Sequence, residues 1–167
     1  MPNANTFDVR AIGELVRANL RGVSVDPFAR NTRLATYTND LNPATAAEYH
    51  MHAQEFLKML ADQGVQADTV LFDPPYSPRQ IAECYAAAML TTDMQATQNA
   101  RLYAACKREI RRLCRPGSRV LSFGWNSAGM GAGFETDEIL LVCHGAAHND
   151  TICMVERMIA KQTELAV

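Results

Sequence analysis

Asp73, Pro74, Pro75 and Tyr76 stand together directly after a short apolar run, Thr69 to Phe72. Two successive prolines remove two backbone donors and hold the chain extended, so the run cannot continue as a central strand. What remains is a stiff loop offering a carboxylate, carbonyl acceptors and a phenol ring. The apolar run reads as a buried strand. The loop therefore sits at a strand's carboxyl end, where open α/β sheets bind their ligands. Two more acidic residues close short strand-like runs, Asp26 after Val23-Ser24-Val25 and Asp40 after Ala35-Thr36-Tyr37-Thr38-Asn39.

Periodicity and turn signals supply the elements that position these groups. Phe7 to Leu20 carries apolar residues at helical spacing, and Arg21-Gly22 closes it. Val23 to Phe28 and Ala35 to Leu41 read as strands. Asn42, as a cap, and Pro43, in a first turn, predict a helix to about Glu48. Tyr49 to His52 reads as a short third strand, and Gln54 to Asp62 as a helix ended by Gly64. Ser77-Pro78 starts a helix reaching about Leu90, Thr91 to Asn99 is a polar segment, and Ala100 to Cys114 is again helical. Arg115-Pro116-Gly117-Ser118 turns into a strand from Arg119 to Trp125. A glycine-rich loop, Asn126 to Gly133, leads to strands Glu135 to Cys143 and His148 to Met158, the last antiparallel to its neighbour because only a short loop joins them. Strands separated by helices predict a mostly parallel sheet covered on both faces.

The chain of 167 residues is long enough for one domain with a proper core, and its 48% hydrophobic and 20% charged composition is that of an ordinary globular protein. No apolar run reaches the roughly 18 residues needed to span a bilayer, so no membrane partner is expected. Five cysteines without a CxxC pair and without a secretory leader read as reduced thiols of a cytoplasmic protein. The net charge of −2 does not advertise nucleic-acid binding, so any basic surface must be local.

Taken in order, Asp26-Pro27-Phe28, Asp40-Leu41-Asn42-Pro43 and Asp73-Pro74-Pro75-Tyr76 resemble the motifs of the amino-methylating S-adenosylmethionine-dependent methyltransferases, similar in particular to the adenine-specific DNA methyltransferases. The resemblance implies a Rossmann-like fold with a mostly parallel seven-stranded sheet and one antiparallel strand, in a single domain over residues 1–167. It implies S-adenosylmethionine as cofactor. Asp26, Pro27 and Phe28 would open its site, Asp40 would accept from the ribose hydroxyls, and Leu41 would cover the adenine. Where the family usually has a Gly-x-Gly turn, this chain has Ala29-Arg30-Asn31-Thr32, and Arg30 or Asn31 would hold the methionine carboxylate by side chain. After the third strand the family places an acid for the adenine amino group. His52 stands there, and Gln54 or Glu55 would substitute.

The same resemblance gives the Asp73 loop its chemistry. An exocyclic amino nitrogen is conjugated to its base and is a poor nucleophile. Hydrogen bonds from its two N–H groups to the Asp73 carboxylate and the Pro74 carbonyl would localise the lone pair for in-line attack on a sulfonium methyl. Pro75 keeps the loop rigid, and Tyr76 stacks on the target base once it has left its stack. The implied target is adenine in DNA, or the cytosine amino group. Alternatives are RNA or protein amino-methylation, or an inactive module that binds nucleic acid or a partner. With no room for a separate target-recognition domain, specificity falls to Thr91–Asn99, to Asn126–Gly133, or to a homodimer or separate partner.

Two other constellations bear on partners. Arg101, Lys107, Arg108, Arg111, Arg112 and Arg115 lie off the apolar stripe of their helix, which suits either a phosphate-binding face or a solvated one. The histidines and cysteines around Cys143, His144, His148 and Cys153 fit no standard zinc spacing, so no metal site is predicted.

Overall fold

Ala67–Phe72 (β3) is the axis of the sheet, and Thr69, Val70, Leu71 and Phe72 are all buried, as a strand covered on both faces requires. The computed structural model describes residues 5–89, 99–145 and 149–159. Beside β3 lie Ser24–Asp26 (β1) and Cys114–Gly124 (β4), both parallel to it, and Tyr37–Thr38 (β2) extends the parallel set beyond β1. Phe134–Val142 (β5) and Thr151–Met158 (β6) complete a six-stranded sheet of order β2-β1-β3-β4-β6-β5. Only β6 runs against its neighbours, pairing antiparallel with both β4 and β5.

Helices cover the two faces. Arg10–Asn19 (α1) places Ile12, Leu15 and Val16 against Leu71, Leu121, Phe123 and Val155 on one side. On the other, Ala53–Asp62 (α2) and Asn99–Leu113 (α4) bring Phe56, Leu57, Leu60, Cys106, Ile110 and Leu113 onto Val25, Val70, Phe72 and Val120. Pro78–Ala87 (α3) starts where the sequence places it, with the Ser77 hydroxyl oxygen accepting from the Gln80 N–H at 3.2 Å.

Three expectations are corrected. Among the described residues the sheet has six strands, not seven, because Tyr49 to His52 contributes a single parallel bridge between Asn39 and Tyr49. The ladder stops there because the next donor, the Met51 N–H, goes to the Asn39 side-chain oxygen at 3.1 Å. Residues 43–48 form turns, not a helix. Asn42 Oδ1 accepts from the Ala44 N–H at 2.9 Å, and the Ala46 N–H is taken by Asn31 Oδ1 at 3.0 Å, so side chains satisfy donors that would otherwise seed a helix. Arg115 to Ser118 lies within β4 as a bulge, since Ala67 pairs Cys114 while Thr69 already pairs Arg119. Thr91 to Gln98 lies outside the described residues, and Asn99 opens α4.

Candidate functional site

The carboxyl ends of β1, β2 and β3 open onto one cavity of about 560 Å³. Phe28, Arg30, Asn31 and Asp40 line it from the β1 and β2 side, and Asp73, Pro74, Pro75 and Tyr76 from the β3 side. Two motifs more than thirty residues apart in the chain thus share one space, because β1 sits between β2 and β3.

Below the first wall, Asn39 ties the segments together. It is fully buried, its side-chain amide donates to the Pro27 and Met51 carbonyls at 3.1 and 3.0 Å, and its backbone exchanges bonds with Asp26 and Ala29. Asp26, Pro27 and Ala29 are buried and form this support, not the exposed wall. Asp40 is held at both oxygens, Oδ2 accepting from the Arg30 N–H at 3.1 Å and Oδ1 from the Asn42 N–H at 2.8 Å. Arg30 adopts φ +51°, the left-handed conformation that an L side chain rarely takes.

Asp26 is the least satisfied group. Its Oδ1 accepts from the Phe28 N–H at 3.0 Å, while Oδ2 is buried without a hydrogen-bond partner among the described residues. The nearby Thr32 hydroxyl gives its proton to the Ala29 carbonyl instead, at 2.9 Å. Burial, and then the charges of Asp73 and Asp40, push the Asp26 pKa up to about 8.

On the second wall the Tyr76 hydroxyl donates to Asp73 Oδ1, and its ring lies 5.6 Å from that of Trp125. The Tyr76 N–H is held by Gln80 Oε1 at 2.6 Å, and the Tyr103 hydroxyl donates to the Pro75 carbonyl at 3.0 Å, so the loop is fixed from α3 and α4. Burial raises the Asp73 pKa above the usual carboxylate range, while hydrogen bonds from Thr6 and Tyr76 and the Arg30 charge oppose it. Burial and the Asp73 charge raise the Tyr76 pKa, so its phenol stays a protonated donor.

Thr6 is a site residue that the sequence did not disclose. It is 6% exposed, lines the cavity with Asn5, and lies close enough to Asp73 and Tyr76 to lower the pKa of each. The Phe7–Phe123 ring contact at 5.2 Å, which pins the N-terminal turn to β4, has no local signature.

Several expected participants stand elsewhere. Gln54 and Glu55 occupy the first turn of α2, whose inward face is Phe56, Leu57 and Leu60, and neither lines the cavity. His52 caps α2 and meets Tyr85, whose hydroxyl lies 3.3 Å from Nδ1. Leu41 is half-buried and outside the lining. The loop Asn126–Gly133 does not line the cavity either. Lys107 and Arg111 of α4 donate to the Gly129 and Met130 carbonyls, and the buried Glu156 carboxylate accepts from the Met130 N–H at 2.7 Å. Gly129 has φ +50°, and a Cβ there would lie 2.4 Å from Glu156 Oε1, so the loop is folded down on α4 and β6. The same contacts partner the cations on and just after α4. Arg112 pairs with Glu109 and Asp62, Arg108 with Glu109, and Arg115 with Asp68, so most of that charge serves internal contacts.

No family model matches the chain, and no curated protein matches it. Among solved structures the fold is similar to that of TrmN from Thermus thermophilus, at TM-score 0.57 and 16% identity over 88% of this chain and 48% of that one. The chain spans about half the length of that neighbour. The likeness is one of fold, a parallel α/β sheet with an antiparallel strand and helices on both faces. The residues present fit the S-adenosylmethionine that the sequence motifs lead one to expect. The carboxylate of Asp40 stands in the cavity wall just past the end of β2, where a ribose diol would be held. Among the described residues no helix is long and apolar enough to cross a membrane.

Proposed function

We propose that the protein transfers the methyl group of S-adenosylmethionine to an exocyclic amino nitrogen of a nucleic-acid base, with RNA as the first target. One observation carries the reading: Asp40 at the end of β2 and Asp73 at the end of β3 line the same cavity of about 560 Å³. Bound S-adenosylmethionine supplies an electrophilic methyl on sulfur. Asp40 and the Phe28–Asn31 loop bind and orient the cofactor. Asp73 would accept a hydrogen bond from one amino N–H of the base and the Pro74 carbonyl from the other, leaving the nitrogen lone pair localised toward the methyl that the cofactor would supply. Once the new N–C bond has formed, one of the two N–H protons would pass from the nitrogen to solvent. Tyr76 provides the ring against which an unstacked base lies.

RNA stands first on the likeness of the fold to TrmN from Thermus thermophilus. Adenine in DNA is the second reading, favoured by the Asp-Pro-Pro-Tyr order at residues 73–76. Wild type and Asp73→Ala are expressed in a host without its own DNA adenine methylation, and nucleosides from its RNA and DNA are compared by mass spectrometry with an empty-vector control. An extra N-methylated base in RNA, absent with Asp73→Ala, supports the first reading. The same signal in DNA alone moves the reading to DNA, and no signal in either sinks it.

A further inference from the structure

We infer that residues 139–143, at the free edge of β5, pair antiparallel with the same residues of a second copy of this chain across a two-fold axis at Leu141. β5 is the last strand of the sheet, and its two halves differ. The first half is guarded against strand addition. Asp137 is left out of the pairing with β6 as a bulge, and Glu135, Asp137 and Glu138 are exposed acids. The second half is regular, with no charged residue from Ile139 to Cys143. Leu140 and Val142 pack into the α1 side of the core, while Ile139 and Leu141 face the other way and are 58% and 57% exposed. The core under α2 and α4 takes Phe134 and Met158 from these two strands. A strip of Ile139, Leu141 and its half-buried β6 neighbour Ile152 therefore stays open. An apolar strip beside an unpaired edge is what sheet proteins cover.

Charge and register select a second copy as the occupant. A two-fold at Leu141 sets Leu141 opposite its own counterpart, Leu140 opposite Val142, Ile139 opposite Cys143 and Glu138 opposite His144. Directly opposed residues of an antiparallel pair share a face, so Ile139, Leu141 and Cys143 of the two copies form one strip. Cys143 is an exposed free thiol and packs there as a small hydrophobe. Glu138 makes no ion pair among the described residues, whereas Arg157 holds Glu135 and Asp137 at 3.1 Å each. In this register Glu138 meets the imidazole of His144, and Glu135 and Asp137 run past the end of the other copy's strand. A two-fold nearer Asp137 would set the acids of the two copies against each other, at a cost in repulsion. Each copy thus supplies the ladder partners, the apolar cover and the imidazole that the other lacks, and pairing of this isologous kind closes at two. β4 and β6 separate this edge from the β1, β2 and β3 ends that carry the cavity, so the dimer and the proposed reaction are independent.

Sedimentation velocity on the full chain, over about 1 to 100 µM, tests the pairing in wild type and Leu141→Lys. Wild type should be a dimer with a Kd at or below about 10 µM. Leu141→Lys sets two ammonium groups opposite each other and should raise the Kd about a hundredfold. Leu141 is exposed in the single chain, so the variant should keep the wild-type circular dichroism spectrum. In Leu141→Cys a short bismaleimide should link position 141 of one copy to position 141 of the other, read by peptide mass spectrometry. A wild type that stays monomeric at about 100 µM leaves the edge to another occupant and overturns the pairing. A folded Leu141→Lys with wild-type dimer affinity overturns it too. If Leu141→Lys does not fold, the link decides: a dimer without a 141–141 link pairs through another surface.

Discussion

The Tyr76 hydroxyl donates to Oδ1 of Asp73, so the carboxylate assigned to a substrate's amino group already holds a donor supplied by the protein. On the proposed reaction an entering base takes that place, and Tyr76 exchanges its hydrogen bond for a stacking contact. Tyr76→Phe deletes the competing donor and keeps the ring, so KM for the nucleic acid should fall about threefold to tenfold. Tyr76→Ala removes the ring, and KM should rise about tenfold or more. Steady-state kinetics on the two variants checks the pair. A Tyr76→Phe enzyme with a raised KM would contradict this account of the contact.

Asp26 predicts a pH-dependent stability. Its pKa is raised on folding, from an ordinary carboxylate value to about 8, chiefly by burial. The folded state therefore binds this proton more tightly than the unfolded chain does. The associated stability is fully present below the unfolded pKa and is lost as pH rises toward and through 8. Asp26→Asn removes that proton, so relative to wild type the variant should gain stability between pH of about 4 and 8, by at most about 1.4 kcal/mol per pH unit. Urea unfolding at stepped pH measures it, and a difference that does not change with pH would refute the assignment.

Asn39 ties the Pro27 and Met51 segments to its own beneath the β1–β2 wall of the cavity, donating to the Pro27 and Met51 carbonyls and accepting from the Met51 N–H. Asn39→Ala strands those partners and should cost about 2–4 kcal/mol. Denaturant unfolding should show the loss, together with weakened S-adenosylmethionine binding. A change below about 1 kcal/mol would mean that water replaces the side chain readily.

Trp125 is the sole tryptophan, 41% exposed at the end of β4 and 5.6 Å from the Tyr76 ring. As part of a base-stacking rim, Trp125→Ala should weaken binding of a single-stranded oligonucleotide by about tenfold, with S-adenosylmethionine affinity unchanged. Fluorescence anisotropy of a labelled oligonucleotide reads the first, and calorimetry the second. Equal oligonucleotide affinity in variant and wild type would remove Trp125 from the rim.

The framework of this fold was legible where local chemistry and tertiary role agree. The Thr69–Phe72 run becomes the central strand because it is apolar on both faces, and Ser77-Pro78 starts α3 because cap and proline act within one turn. The sequence misled where a side chain substitutes for a backbone partner. Asn39 replaces a third-strand ladder, and Asn42 with Asn31 satisfies donors that a helix would otherwise have taken. The partners of the basic residues could not be read either, since Arg112, Arg115, Lys107 and Arg111 meet Asp62, Asp68, Gly129 and Met130 from far away in the chain. Three motif carboxylates could be read at strand ends, but Thr6 could not, since a lone threonine near a terminus acquires its role only when β4 receives Phe7. The left-handed backbone of the 29–32 turn likewise falls on Arg30, where no residue type announces it.

The central claim is that the cavity shared by the β1–β2 wall and the Asp73 loop holds S-adenosylmethionine, and calorimetric titration of the cofactor into wild type and Asp40→Ala tests it most directly. The account predicts saturable one-to-one binding to wild type, weakened about tenfold or more in Asp40→Ala by loss of acceptors for the ribose hydroxyls. Absence of binding to wild type at millimolar cofactor, or equal affinity in the variant, would contradict it.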